Sequence, residues 1–136
     1  PDRPTVAYIG DGAWGMSLTE VMTAVRERIP VVAVVFDNGQ WGAEKRNQID
    51  YFDSRFLGTE LENPNFAEVA RAMGAQGSTV EHEDQVGDAL LAAIASNQPT
   101  VINLRLTQAL GDPFRRDAFK PPRRLLAKYS AYSAKG

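Results

Sequence analysis

The sequence predicts an α/β fold in which helices cover both faces of a doubly wound parallel sheet. Apolar segments rich in β-forming residues alternate along the chain with segments of helical periodicity, which is the element order of such folds. The second apolar segment, residues 31–36, shows no polar alternation, as expected for a strand buried on both faces. Ligands of these sheets bind beyond the carboxyl ends of the strands, so the residues that follow each strand form the candidate site.

The first part of the chain is expected to form a strand, a helix and a second strand. Residues 5–9 are apolar and end at the turn signal Gly10-Asp11-Gly12. Apolar residues then recur at helical spacing over residues 15–28, and Pro30 ends that helix before the strand over 31–36.

A long polar segment precedes the remaining elements. Residues 39–64 contain several glycines, and we expect them to be irregular and functional, because long loops in compact domains usually are. Asn65 is expected to cap the next helix and Asp84 the helix after that. The remaining expected elements are a helix over 66–73, a strand over 78–81, a helix over 84–96 and a strand over 100–106.

The composition excludes several classes of protein. The 136 residues include no cysteine, which excludes a disulfide scaffold, a thiolate zinc site and a cysteine nucleophile. No apolar run reaches the ~18 residues that a membrane span needs, and the N-terminus does not resemble a signal peptide. We therefore expect a cytoplasmic protein that binds neither membrane nor nucleic acid.

The charge divides the chain into two parts. Residues 1–111 hold 8 basic and 15 acidic residues, whereas residues 112–136 hold 7 basic and 2 acidic residues. We expect a domain over 1–111 and an irregular basic tail over 112–136 that packs on the domain or on a partner. The chain starts with Pro1 and enters a strand almost at once, so we expect it to be a piece of a longer polypeptide.

The turn after the first strand permits two interpretations. Residues 10–15 fit the pattern G-x-G-x-x-G between a strand and a helix, and Asp37 ends the second strand, as in nicotinamide dehydrogenases. However, Asp11 would then place a carboxylate against the diphosphate that the turn must attract. Trp14 would also place a bulky ring where backbone and ligand must approach closely.

A cation between carboxylate and diphosphate removes this conflict. Asp11 and Asn38 each follow a strand of one β-α-β unit, so both should lie at the same edge of the sheet. Carboxylate, amide and phosphate oxygens suit Mg²⁺. The backbone N–H groups of Gly12 and Ala13 are then expected to face the phosphates.

At this point the sequence resembles a known family. Gly10-Asp11-Gly12, a span of under thirty residues, and Asp37-Asn38 resemble the metal motif of thiamine-diphosphate enzymes. Together with residues 40–45 and 113–117, the motif is similar to the sulfoacetaldehyde acetyltransferase family over essentially the whole chain. One departure is Asp37, which stands where the family motif begins with Asn; the ligand position keeps its asparagine, Asn38.

The resemblance implies that the chain is the C-terminal, diphosphate-binding domain of such an enzyme. Mg²⁺ would be bound by the side chains of Asp11 and Asn38 and by the main-chain carbonyl of Gln40. Thiamine diphosphate would be held between this domain and the missing pyrimidine-binding domain of another subunit, which implies a homo-oligomer and an inactive isolated chain. The residues that would contact the cofactor are Gly10, Asp11, Gly12, Ala13, Asn38, Gln40 and Trp41.

The implied reaction belongs to sulfonate (taurine) degradation and converts sulfoacetaldehyde and phosphate to acetyl phosphate and sulfite. Both substrates are anions, so Arg115 and Arg116 are candidates to bind them, with Lys45 and Arg46 as further candidates and Trp41 as a possible pocket residue. The alternatives are an acetolactate synthase-like lyase, a nicotinamide dehydrogenase domain and a non-catalytic flavodoxin-like module.

Overall fold

The computed structural model describes residues 3–110 as a four-stranded parallel sheet with helices on both faces, which confirms the predicted fold class. The strands, in the spatial order β1-β2-β4-β3, are β1 (Thr5–Gly10), β2 (Val31–Asp37), β3 (Gln76–Val80) and β4 (Thr100–Arg105). The helices are α1 (Asp11–Ser17), α2 (Glu20–Glu27), α3 (Gly42–Tyr51), α4 (Phe66–Ala72) and α5 (Val86–Ser96), the last preceded by a 3₁₀ turn (Glu83–Gln85). The predicted tail, with Arg115 and Arg116, lies outside the described residues.

Two apolar layers hold the helices to the sheet. Because side chains alternate along a strand, Val35 of β2 faces the layer that contains Phe66 of α4, whereas Val34 faces the opposite layer. In that second layer Ile102 of β4 packs in one cluster with Ala93 of α5. The central strands are therefore covered on both faces, which explains the unbroken apolar run of β2 from Val31 to Phe36.

The two strand ends that carry the metal motif are direct neighbours. β1 pairs with β2 in parallel, and Gly10 lies opposite Phe36. Adjacent strands are ~4.8 Å apart. The residues that follow them therefore start from adjacent points on the carboxyl edge of the sheet.

Two predictions about helices were wrong in detail. The helix expected over 15–28 starts earlier, at Asp11, and is interrupted at Leu18 and Thr19, whose carbonyls accept short-range bonds from the N–H groups of Val21 and Met22. The segment 39–64 was expected to be irregular, but it contains α3. That helix buries no residue, so it lacks the apolar periodicity that reveals helices in a sequence.

The predicted helix caps had different outcomes. The Asn65 side chain accepts hydrogen bonds from the backbone N–H groups of Ala67 and Glu68, which confirms it as the cap of α4. Asp84 lies in the 3₁₀ turn instead, and Gln85 precedes α5 without a side-chain cap. Among residues 3–110, none of the helices has the length and apolar character needed to cross a bilayer.

Candidate functional site

Asp11 lies at the carboxyl end of β1, where its carboxylate is enclosed by backbone N–H groups. Its residue surface is 4% exposed. Gly12 N–H donates to Oδ1 at 2.9 Å, and Gly39 N–H, from the loop after β2, donates to Oδ2 at 2.7 Å. Gly39 has φ +66°, a conformation that glycine adopts at no steric cost, and this lets the loop turn back toward Asp11. The Gly12 N–H is therefore engaged by Asp11, in contrast to the expectation that it faces a phosphate.

The side chains around Asp11 form a hydrogen-bonded group, here called the polar cluster, in which Asp11, Asp37 and Asn103 are buried and Asn63 is partly buried. Asn63 Nδ2 donates to Asp11 Oδ2 at 2.7 Å and to Asp37 Oδ1 at 2.9 Å. Asn103 Nδ2 donates to the other Asp37 oxygen at 3.0 Å. Sequence reasoning found neither asparagine, because both are distant in sequence from Asp11 and belong to no motif.

Asn38 and Gln40 follow the polar cluster in the loop after β2. The Asn38 side-chain oxygen accepts a hydrogen bond from Gln40 N–H at 3.2 Å. Gln40 forms an antiparallel bridge with Glu60. Two backbone hydrogen bonds flank this bridge: Trp41 N–H donates to the Thr59 carbonyl, and Leu61 N–H donates to the Gly39 carbonyl. In such a pair the N–H and C=O of the central residue point away from the partner strand. The Gln40 carbonyl is thus directed to the side on which Asn38 lies.

Trp41 covers the start of α1. A Cβ atom added at Gly12 would lie 2.8 Å from the indole ring, so only glycine fits beneath Trp41. A Cβ at Gly10, by contrast, would meet no atom within 4 Å, and Gly10 is exposed. Ala13 lies in the first turn of α1, where backbone N–H groups lack partners within the helix. The surface at Gly10 is therefore open next to Asp11, and Ala13 in the adjacent first turn is partly buried.

Lys45 and Arg46, two candidates for binding anionic substrates, have partners within the domain. Lys45 Nζ donates to Gln40 Oε1 at 3.0 Å and forms an ion pair with Glu60. Its side chain is 15% exposed. Arg46 pairs with Asp50 at 3.1 Å along α3. Lys45 therefore supports the loop at Gln40. Both side chains have an acidic partner within the domain, and their role toward substrate anions stays a prediction.

The chain beyond β4 returns to the site. Gln40 Nε2 donates to the Gln108 carbonyl at 2.9 Å, and Gln40 is 2% exposed. Residues that follow the last strand thus pass beside Gln40, as expected from the parallel direction of β4. The substrate role predicted for Arg115 and Arg116 concerns residues outside the described range and stays a prediction.

The donor set fits a hard cation such as Mg²⁺. Within residues 3–110 no three His, Cys, Asp or Glu side chains come together, so a site made only of such ligands is not formed there. The available donors are the Asp11 carboxylate, the Asn38 amide oxygen and the Gln40 carbonyl. Oxygen ligands of mixed type, completed by phosphate, match the preference of Mg²⁺ and suit no soft metal.

Comparison with known proteins identifies the family. Residues 1–104 match the model of the thiamine pyrophosphate enzyme C-terminal TPP binding domain, thiamine pyrophosphate being thiamine diphosphate. The chain belongs to this family. This outcome confirms the resemblance inferred from the metal motif and excludes the nicotinamide dehydrogenase interpretation.

The relatives within this family carry different names. The chain is 55% identical over 136 residues to sulfoacetaldehyde acetyltransferase of Alcaligenes xylosoxydans xylosoxydans, covering 97% of this chain and 23% of that protein. It is 34% identical over 115 residues to a probable acetolactate synthase of Mycobacterium bovis, covering 85% of this chain and 21% of that protein. The chain thus spans less than a quarter of the length of these relatives.

A solved structure shows the same fold. The thiamine diphosphate-dependent 4-hydroxybenzoylformate decarboxylase of Rhodococcus jostii RHA1 superimposes with a TM-score of 0.76 at 27% identity. The match covers 82% of this chain and 21% of that one.

Proposed function

We propose that the chain binds thiamine diphosphate and Mg²⁺ at the carboxyl ends of β1 and β2, as the cofactor domain of a sulfoacetaldehyde acetyltransferase. The observation that supports the site is that Asp11 accepts a hydrogen bond from Gly39 N–H and Asn38 accepts one from Gln40 N–H, so that the three proposed ligand residues meet at the loop after β2. The activity rests on the relatives: identity is 55% to a sulfoacetaldehyde acetyltransferase but 34% to a probable acetolactate synthase.

In this proposal the side chains of Asp11 and Asn38 and the Gln40 carbonyl bind Mg²⁺, which links the protein to the diphosphate. The first turn of α1, at Ala13, offers backbone N–H groups to the phosphate oxygens, and the open surface at Gly10 provides room for them. The Trp41 ring packs on Gly12 and so holds the loop after β2 against the start of α1. This contact fixes the proposed oxygen ligands at the ends of β1 and β2 relative to each other. Gln40 is fixed in turn by Lys45 and by the Gln108 carbonyl.

Thiamine diphosphate, when bound, supplies the carbanion chemistry of the reaction, and the protein supplies binding and orientation. The proposed reaction takes sulfoacetaldehyde and phosphate to acetyl phosphate and sulfite: the carbon–sulfur bond breaks, sulfite leaves, and phosphate takes up the acetyl group. The substrates are small soluble anions, and we place the enzyme in the cytoplasm.

The proposed assembly is a homo-oligomer in which a pyrimidine-binding domain of another subunit completes the cofactor site. In support of this, large apolar side chains are exposed beside the motif, Tyr8 at 63% and Met16 at 75%. β1, which carries Asp11 at its end, is mostly exposed and is paired on one side only within the described sheet. Additional protein over this flank would bury that surface.

The experiment that tests the activity uses the protein expressed from its full open reading frame. With thiamine diphosphate and Mg²⁺, we expect formation of acetyl phosphate and sulfite in equal amounts from sulfoacetaldehyde and phosphate. Pyruvate is supplied in a parallel assay, and acetolactate as the main product would favour the second candidate, an acetolactate synthase. If a folded preparation binds the cofactor but forms neither acetyl phosphate nor acetolactate, both proposed activities are wrong, whereas the proposed cofactor site is not affected.

The basic tail is part of this proposal. Guanidinium groups suit bidentate contacts to phosphate and sulfonate, and Arg115 and Arg116 follow the last strand closely in sequence. Arg115→Ala or Arg116→Ala should then raise KM for phosphate or sulfoacetaldehyde by roughly tenfold or more, the loss of ~1.5–3 kcal/mol from a charged hydrogen bond. Steady-state kinetics at constant cofactor concentration measure this. An unchanged KM together with lost stability would assign the tail a structural role instead.

A further inference from the structure

The Asp11 carboxylate is held asymmetrically. Its Oδ2 atom accepts two hydrogen bonds, from Gly39 N–H and from Asn63 Nδ2, both at 2.7 Å. Its Oδ1 atom accepts one, from the adjacent Gly12 N–H at 2.9 Å. Two short bonds occupy the lone-pair directions of Oδ2, whereas Oδ1 keeps acceptor capacity. The arrangement fixes which oxygen is available to a cation.

Asn63 is itself oriented by the opposite carboxylate of the polar cluster. Its amide nitrogen has two hydrogens and donates to both Asp11 and Asp37. An amide turned the other way would place its oxygen against two carboxylates, so the side chain has one favourable orientation. Asp37 is anchored in turn by Asn103, which is 0% exposed and whose oxygen accepts from Phe66 N–H at 3.0 Å.

We propose that Asn63 is a positioning residue for the metal ligand Asp11 and that Asp37 orients Asn63. This inference rests on the proposed Mg²⁺–thiamine diphosphate site. The hydrogen bonds run from the rigid centre of β4 through Asp37 and Asn63 to the carboxylate at the end of β1. Within the described sheet β1 is paired on one side only and is mostly exposed, so the proposed metal ligand at its end gains a fixed position from the better packed strands β2 and β4.

The same geometry explains why position 37 is an aspartate in this chain. Each Asp37 oxygen accepts a hydrogen bond from one of two amide groups, Asn63 and Asn103. An asparagine at 37 would offer one acceptor oxygen, and its own NH₂ would face the second amide donor. Asp37, Asn63 and Asn103 therefore form a matched set in which a carboxylate is required between two amide donors.

The test measures how Mg²⁺ supports cofactor binding, in the protein expressed from its full open reading frame and freed of metal by chelation. Thiamine diphosphate binding is followed by equilibrium dialysis at a fixed cofactor concentration while Mg²⁺ is titrated. We expect Asn63→Ala to raise the half-saturating Mg²⁺ concentration by roughly 10–100-fold, the usual effect of removing a group that orients a metal ligand. The matched control is Asn47→Ala in α3, since the Asn47 side chain forms no hydrogen bond within residues 3–110; it should stay within about twofold of wild type.

Different outcomes overturn different statements. If wild-type protein binds thiamine diphosphate equally well without Mg²⁺, the proposed metal site is wrong. If wild type requires Mg²⁺ and folded Asn63→Ala has the same half-saturation, the positioning role is wrong, whatever the variant does to the melting temperature. If Asn63→Ala does not fold, as judged by circular dichroism, the isosteric Asp37→Asn decides. We expect the half-saturating Mg²⁺ concentration to rise by about 10-fold, the low end of the usual effect, and an unchanged value overturns the inference.

Discussion

Two neighbouring residues of β4 are buried in different environments, one apolar and one polar. Ile102 and Asn103 are both 0% exposed, but they point to opposite faces of the sheet. Ile102 lies in the apolar layer under α5, where its neighbours are methyl and methylene groups. Asn103 lies in the polar cluster, where its amide nitrogen donates to Asp37 and its oxygen accepts from Phe66 N–H.

The difference predicts that the two faces of the sheet respond differently to substitution. An apolar layer is stabilised by non-directional burial and accepts small changes of shape at modest cost. When a partner is removed, the desolvation cost of a buried polar group is no longer offset by a hydrogen bond, and the fold becomes less stable. Substitutions of Ile102 and Asn103, which are equally buried, should therefore have unequal effects on stability, and a substitution of the partly buried Asn65 provides a third comparison.

The largest effect is expected for Asn103→Leu. The leucine has similar size but leaves the Phe66 N–H and one oxygen of the Asp37 carboxylate without partners in the interior. We expect a loss of about 3–5 kcal/mol in the free energy of unfolding, as for other buried charged groups that lose a partner. Urea denaturation measures it. A loss below about 1 kcal/mol would mean that water reaches the polar cluster.

An intermediate effect is expected for Asn65→Ala at the start of α4. The substitution removes the helix cap and the hydrogen bond from Asn65 Nδ2 to Thr79 Oγ1. Asn65 is only partly buried, so water can replace these partners. We expect a loss of about 1 kcal/mol in the same denaturation experiment. A loss as large as that of Asn103→Leu would show that burial does not separate the two sites.

The smallest effect is expected for Ile102→Val, which removes one methylene group from the apolar layer. The expected loss is about 0.5–1.5 kcal/mol, with the Mg²⁺ dependence of cofactor binding unchanged. Differential scanning calorimetry and the dialysis titration together check both parts. A change in Mg²⁺ half-saturation with this variant would mean that the apolar layer under α5 and the site are coupled.

The sequence predicted the framework of the site because that framework is local. The strand ends, the glycines at 10 and 12 and the proposed oxygen ligands at 11 and 38 lie in patterns of a few residues, and the parallel strands bring these residues to one edge of the sheet. The cap at Asn65 was found for the same reason. Helix α3 was missed because it buries no residue, although Ala43, Glu44 and Lys45 are good helix formers.

The partners of Asp11 could not be predicted in this way. Asn63 lies 52 residues from Asp11 in a segment without periodicity, and it reaches the carboxylate only through the fold of that segment. Asn103 lies between the apolar residues Ile102 and Leu104 of β4, and this position was the one available signal. A buried asparagine in a central strand needs a partner, and a search for that partner would have led to Asp37.

The most direct test of the central claim is the binding of thiamine diphosphate to Asp11→Ala as a function of Mg²⁺. The claim is that a cation held by Asp11, Asn38 and Gln40 links the domain to the diphosphate. In the protein expressed from its full open reading frame, we expect wild type to bind the cofactor only with Mg²⁺. We expect Asp11→Ala, checked for folding by circular dichroism, to lose Mg²⁺-dependent binding at every concentration tested, because the bridging cation loses its carboxylate ligand. Cofactor affinity equal to that of wild type, with the same dependence on Mg²⁺, would contradict the claim.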